Sequence, residues 1–273
     1  MKSYSVIGGG GLKLHVQETG NPDGKPILFI HGFSQCRLAW NKQMHSDLAK
    51  DFRLIAMDIR GHGLSEKPRD AYGDSRMWAD DVHAVMAALG LERPVLSGWS
   101  YAGVIISDYV RYYGEDSIAG TNWVGAVSRL GEPLVQPGFL GADFAELVPG
   151  FFSENFGECV AALQKLIRLF VYEEPSLEDV CFCLGYNVMV PTYVRQGLFS
   201  RNLNNDSIIK EMHKPMLLSY GEQDAIVSPR MCTHIAGLAN RATLSIYPNV
   251  GHAPFWEAPE RFNRELREFR NSA

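Results

Sequence analysis

Two periods alternate along this chain. Short runs that are apolar almost throughout are followed by stretches whose apolar residues recur every three or four positions. "KLHVQET" (13–19) alternates residue by residue, as a strand with two unlike faces does. "PILFIHG" (26–32), "RLIAMDIRG" (53–61), "PVLSGWS" (94–100), "TNWVGAV" (121–127), "PMLLSYG" (215–221) and "ATLSIYP" (242–248) read as core strands. Between them, Trp78, Val82, Val85, Met86 and Leu89 fall on one helix face that Gly90 closes. Ala102, Ile105, Ile106, Tyr109, Val110 and Tyr113 mark a second helix, ended by Gly114. "SPRMCTHIAGLAN" starts a third, with Ser228 as its cap, Pro229 at the first helical position and an apolar face of Met231, Ile235 and Leu238. Phe262, Leu266 and Phe269 form the stripe of a last helix. This alternation predicts βαβ units and a mostly parallel sheet flanked by helices.

One segment departs from it. From about Leu130 to His213 no strand pair is evident, and a helical face runs through Val160, Leu163, Ile167, Phe170 and Val171. Structureless loops of that length are rare, so the segment is expected to be a helical cap. The division expected is a core of residues 1–129 and 214–273 carrying a cap of residues 130–213.

Composition narrows the function. At 273 residues with 46% hydrophobic positions, the chain can bury one large α/β core. A net charge of −5 and the lack of a basic cluster argue against nucleic acid and anionic membranes as partners. The N-terminus lacks the apolar stretch of a signal peptide and no 18-residue apolar run occurs, so a cytoplasmic location is expected. Cys36, Cys159, Cys181, Cys183 and Cys232 do not form a C-x-x-C pair and read as small buried or half-buried thiols.

Candidate chemistry centres on "VLSGWSYAGVII" (95–106), where Ser100 sits among small residues between a strand and a helix. Gly98 and Ala102 flank it at two residues' distance, the spacing of a strained turn that holds a nucleophile out from a strand end. Serine needs a base, normally a histidine oriented by a carboxylate. His252, in "YPNVGHAPFWEAPE", follows the last strand; taken alone it could be a loop histidine packed on Phe255 and Trp256. Asp224 follows the strand before it, with Glu222 as a rival carboxylate. All three candidates thus follow strand ends, where catalytic groups of parallel sheets gather. An anion site is also required, and the amides of Tyr101 and Phe33 are expected to supply it. His31 is expected to pin its loop by hydrogen bonds.

On "HGF", "DIRGHGLS" (58–65), "GWSYAG", "GEQD" and "GHAPFWEAP" the chain resembles the α/β-hydrolase superfamily over nearly its whole length. It is most similar to small esterases and cofactor-free haloperoxidase-like members. The resemblance implies an α/β-hydrolase fold: an eight-stranded, mostly parallel sheet flanked by helices, with a helical cap inserted after strand 6. It implies Ser100 as nucleophile, Asp224 as acid, His252 as base, and the Phe33 and Tyr101 amides as oxyanion hole. No metal or organic cofactor is implied, and His62 in "DIRGHGLS" is implied to be scaffold. Ala102 departs from the commoner glycine. Relatives that open epoxides or remove halide carry aspartate at the elbow, so serine points to acyl chemistry.

The expected activity is a serine hydrolase of carboxylic esters, with a small-molecule substrate. Phe139, Phe144, Phe151, Phe152 and Phe156 suggest an apolar acyl or aryl group, unless they form the core of the cap. A lactonase, a carbon–carbon bond hydrolase and a perhydrolase are the enzymatic alternatives; a ligand receptor on the same fold is the non-enzymatic one.

Overall fold

The apolar runs meet in one sheet. The computed structural model describes residues 1–131 and 138–273. Its strands are β1 (Lys2–Ile7), β2 (Lys13–Gly20), β3 (Lys25–Ile30), β4 (Phe52–Met57), β5 (Val95–Trp99), β6 (Gly120–Val124), β7 (Arg129–Leu130), β8 (Leu203–Asn204), β9 (Met216–Gly221) and β10 (Ala242–Tyr247). The helices begin with α1 (Asn41–Met44), α2 (Leu48–Asp51), α3 (Ser75–Ala88) and α4 (Ala102–Tyr113). Then follow α5 (Ala142–Phe151), α6 (Phe156–Leu169), α7 (Leu177–Asn187), α8 (Thr192–Phe199) and α9 (Asp206–Glu211). The chain closes with α10 (Pro229–Leu238), α11 (Pro254–Glu257) and α12 (Pro259–Ser272).

The main sheet has eight strands in the order β1-β2-β4-β3-β5-β6-β9-β10. β2 pairs antiparallel with β1 and β4, and the remaining pairs are parallel. Every residue of β5, β6 and β9 is buried, the polar Ser97, Thr121, Asn122 and Ser219 included. Register then sets the site. Ile30 faces Gly98, Gly98 faces Trp123, and Val124 faces Ser219. The carboxyl ends of β3, β5, β6 and β9 therefore finish together, and their loops open at one place.

Three elements differ from the expectation. "ATLSIYP" forms the edge strand β10, not a core strand: Leu244 and Ile246 are exposed while Ser245 and Tyr247 face inward. β1 carries few apolar residues and pairs through its backbone with β2, so its sequence shows little pattern. The segment after Leu130 does contain a strand pair, because Leu130 faces Leu203 across β7 and β8. Two residues per strand are too few to show a period.

Helices α5 to α8 lie within that segment, α5 packing on α6 and α6 on α7. Residues 132–137, the start of the expected cap and the first residue of its aromatic turn, lie outside the described residues. Arg201, just past α8, donates to Asp108 of α4 at 2.6 Å and to the Tyr101 hydroxyl at 3.2 Å. Both partners of this ion pair are fully buried, so removing either one strands the other charge, at a cost of roughly 3–5 kcal/mol. Cys36, Cys159, Cys183 and Cys232 are buried; Cys181, contrary to expectation, is exposed. It sits two residues before Cys183 on α7, and a two-residue step turns a helix by more than half a circle. Among the described residues no helix is long and apolar enough to cross a membrane.

His31 and His62 are knots of the scaffold. Nδ1 of His31 donates to the Gly32 carbonyl at 2.9 Å and Nε2 accepts the Ile59 amide at 3.1 Å. Nδ1 of His62 donates to the Arg60 carbonyl at 2.9 Å and Nε2 accepts the Ser34 amide at 3.2 Å. Both rings are fully buried. Burial pushes His31 down to about 4 and holds His62 well below the ordinary histidine value. Unfolding therefore takes up a proton at each ring as pH falls below about 6.5, and stability drops in that direction. Between pH 6.5 and 5 the loss at His31 should be on the order of 1 kcal/mol, and His62 should add to it in the same direction. Thermal melts across this window should show a falling Tm, and His62→Gln should flatten the slope. A Tm independent of pH there would contradict the burial of neutral imidazoles.

Candidate active site

β5 ends at Trp99, and Ser100 turns the chain with φ at +57°. A non-glycine residue at positive φ carries strain of about 1–3 kcal/mol and persists only where its surroundings hold it. Here the Ser100 amide donates to Val124 at 2.9 Å, and its carbonyl accepts the amides of Gly103 and Val127 at 3.1 Å each. The neighbours must be small. A Cβ on Gly98 would lie 2.6 Å from Ile106 Cδ1 and 3.0 Å from Ala102 Cβ. One on Gly32 would lie 2.9 Å from Ser100 Cβ. Ala102 itself is fully buried and begins α4, so its methyl group fits the turn.

His252 and Asp224 come together. Nδ1 of His252 donates to Asp224 Oδ2 at 2.7 Å, and both side chains are essentially inaccessible. The other carboxylate oxygen accepts the amides of Ile226 and Val227 at 2.8 Å each. A carboxylate held by donors on both oxygens leaves Nδ1 protonated and the Nε2 lone pair free. Glu222 is exposed and, among the described residues, its side chain accepts only from Gln223 Nε2, at 3.1 Å. Trp99 Nε1 donates to the His252 carbonyl at 2.9 Å, and its ring lies 5.4 Å from the imidazole. His252 thus packs on Trp99 and Phe170.

Ser100 and His252 line one cavity of about 270 Å³, together with Gly32, Phe33, Gln35 and Phe144. A second, of about 340 Å³, adjoins it at Phe33, Ser100 and Phe144 and is walled by Tyr101, Leu140 and Val227. A third, of about 360 Å³, meets the first at Trp99 and Phe170. Tyr101 follows Ser100 in the chain and Phe33 lines both cavities with it, and neither backbone amide has a backbone acceptor among the described residues. α4 also directs its positive end toward this turn.

Of Phe139, Phe144, Phe151, Phe152 and Phe156, Phe144 lines the cavities. Phe151 is buried against Phe33 and Phe144, and Phe152 lies edge-on to Phe199. Phe139 packs on His234, while Phe156 is 72% exposed. Most of them are not cavity wall.

Several residues here carried no sequence signal of their own. Glu257 accepts the Gly251 amide at 2.8 Å and the Tyr172 amide at 2.7 Å, so it joins the His252 loop to the inserted segment. Burial pushes its carboxyl up, offset in part by these amides. Its place in "GHAPFWEAP" was the available hint. Gln35 and Leu166 reach the first cavity only through the fold. Among the described residues, no three His, Cys, Asp or Glu side chains gather in a way that could hold a metal ion.

A family model described as "alpha/beta hydrolase fold" matches residues 25–259. The esterase RhEst1 from Rhodococcus sp. ECU1013 superposes with a TM-score of 0.94 at 34% identity, covering 100% of this chain and 99% of the other. The bifunctional esterase/perhydrolase DCH of Acinetobacter calcoaceticus is 28% identical over 95% of this chain and 96% of its own. The AB hydrolase superfamily protein YisY of Bacillus subtilis is 27% identical over 96% of each.

Proposed function

The chain belongs to the α/β-hydrolase fold family, and we propose that within it this protein is a serine hydrolase of carboxylic esters. One observation carries the reading. Ser100, on its strained turn, shares a cavity with an imidazole whose far nitrogen is bound to a buried carboxylate. The esterase names of RhEst1 and DCH support it.

In this reading Ser100 Oγ attacks the ester carbonyl as His252 Nε2 takes its proton. Negative charge gathers on the carbonyl oxygen, between the Phe33 and Tyr101 amides. The tetrahedral intermediate collapses, the C–O bond breaks, and the proton on Nε2 passes to the leaving alcohol. A water then attacks the acyl-serine, giving its proton to His252, and the acid departs as Ser100 is restored. Asp224 keeps Nδ1 protonated and stabilises the imidazolium in each half. Helices α5 to α8 act as a cap over this site, and the apolar walls of Phe144, Ile226 and Phe170 suit a small to medium apolar substrate.

Steady-state hydrolysis of p-nitrophenyl esters of rising chain length, beside a lactone panel, tests the reading. Many turnovers per enzyme, with esters ahead of lactones, are expected. A single stalled acylation would instead mark a ligand receptor.

The anion site yields its own prediction. Phe33→Pro deletes the amide hydrogen, so kcat should fall by roughly 10²–10³. Phe33→Ala keeps the amide and loses the ring, which touches Phe151 and Phe199, so it should change mainly KM. Equal losses of kcat in both, in proteins that melt cooperatively, would place the second donor elsewhere.

A further inference from the structure

The first cavity holds one polar side chain that the reaction above does not use. Gln35 is 1% exposed and lines the wall with Ser100 and His252. Its amide orientation is set by its neighbours. Asn187 Nδ2 donates to the Cys183 carbonyl at 2.9 Å, which leaves Asn187 Oδ1 facing Gln35 as an acceptor. Gln35 Nε2 donates to that oxygen at 3.3 Å and to the Phe33 carbonyl at 3.4 Å. Both partners accept, so the NH2 group must lie there and Oε1 must lie opposite. That oxygen is buried and has no hydrogen-bond partner among the described residues. Buried acceptors are rarely left so, and one on a side chain that lines the reaction cavity is suited to a donor carried by the ligand.

The two cavities at Ser100 also differ in what they can accept. The leaving oxygen must reach His252, which must protonate it, and His252 lines the first cavity. The second is walled by Tyr101, Leu130, Leu140, Phe199 and Val227, has no carboxylic acid or imidazole among its described lining residues, and suits an apolar acyl group. The alcohol part therefore lies on the side of Gln35.

We propose that Gln35 Oε1 accepts a hydrogen bond from a hydroxyl on the leaving alcohol, so that the preferred substrates are monoesters of diols or similar polyols. This inference rests on the serine-hydrolase reading and deepens it. A site built around a hydroxyl rejects the analogue that lacks it, because its own polar group is then left unpaired.

The matched pair 2-hydroxyethyl butanoate and propyl butanoate differs by OH against CH3 at one end. Wild-type kcat/KM should favour the hydroxyl ester on the order of tenfold, and Gln35→Met should bring the ratio to about one. Any loss common to both esters, from a shifted Phe33 loop for example, cancels in the ratio. A second pair, ethyl 3-hydroxybutanoate and ethyl 3-methylbutanoate, moves the hydroxyl to the acyl side and should show a ratio near one. A wild-type ratio of one on the first pair would overturn the proposal even if the variant did not fold. So would a ratio unchanged in Gln35→Met, or a preference confined to the second pair. Fluorophosphonate labelling of the same preparation separates the two levels. Labelled Ser100 with a ratio of one overturns this proposal alone, whereas unlabelled Ser100 overturns the reading beneath it.

Discussion

Ser100→Ala should lower kcat by on the order of 10⁴–10⁶ while leaving the fold intact, the size of loss seen when a nucleophile is removed from a working triad. Among the described residues the hydroxyl makes no hydrogen bond that holds the turn. The Ser100 amide and carbonyl make those bonds, to Val124, Gly103 and Val127, and alanine keeps both groups. Alanine also keeps the Cβ that Gly32 approaches, so the loop carrying Phe33 should not move. Circular dichroism and thermal melting should therefore match the parent while ester turnover drops to background. A loss of only a few-fold in a folded variant would assign the nucleophile to another residue.

Asp224→Asn should cost about 10⁴ in kcat, and Glu222→Gln far less. The reason is local. Oδ1 of Asp224 receives the amides of Ile226 and Val227, which only donate. An asparagine must leave its oxygen there and turn its NH2 toward His252. Nδ1 then has to accept, so the ring proton moves to Nε2, the nitrogen that must be free to take the proton of Ser100. Glu222 is exposed and its side chain, among the described residues, is tied only to Gln223, so neutralising it leaves the imidazole tautomer as it was. Parallel assays of the two variants decide the matter, and the reverse ranking would make Glu222 the orienting acid.

The sheet was readable wherever burial on both faces leaves an almost wholly apolar run, as in β3 and β9. The helices were readable through their capping residues: Ser228 does accept the Arg230 amide, and Gly90 and Gly114 end their helices at positive φ. Features with too few residues to show a period were not readable. β7 and β8 have two residues each, and β10 betrays its edge position only by which alternate residues face water. The same limit applies around Ser100. A strand-to-helix turn among small residues is a local pattern, so Gly98, Ser100 and Ala102 stand out in the sequence. Gln35 and Glu257 act across the fold, through Asn187 and Gly251, while Leu166 lines the cavity from a distant helix, and their spacing along the chain carries no trace of that. The aromatics between Phe139 and Phe156 looked alike as a string, yet only their packing separates Phe144 at the cavity from Phe156 in solvent.

The account turns on one atom, Ser100 Oγ, being the nucleophile. Reaction of the protein with a fluorophosphonate, followed by proteolysis and mass spectrometry of the peptides, reads that atom directly. The account predicts one adduct per chain, on the peptide carrying Ser100, formed in step with loss of ester hydrolysis and absent in Asp224→Asn on the same timescale. An adduct on any other serine, or full inactivation with Ser100 unmodified, would contradict it.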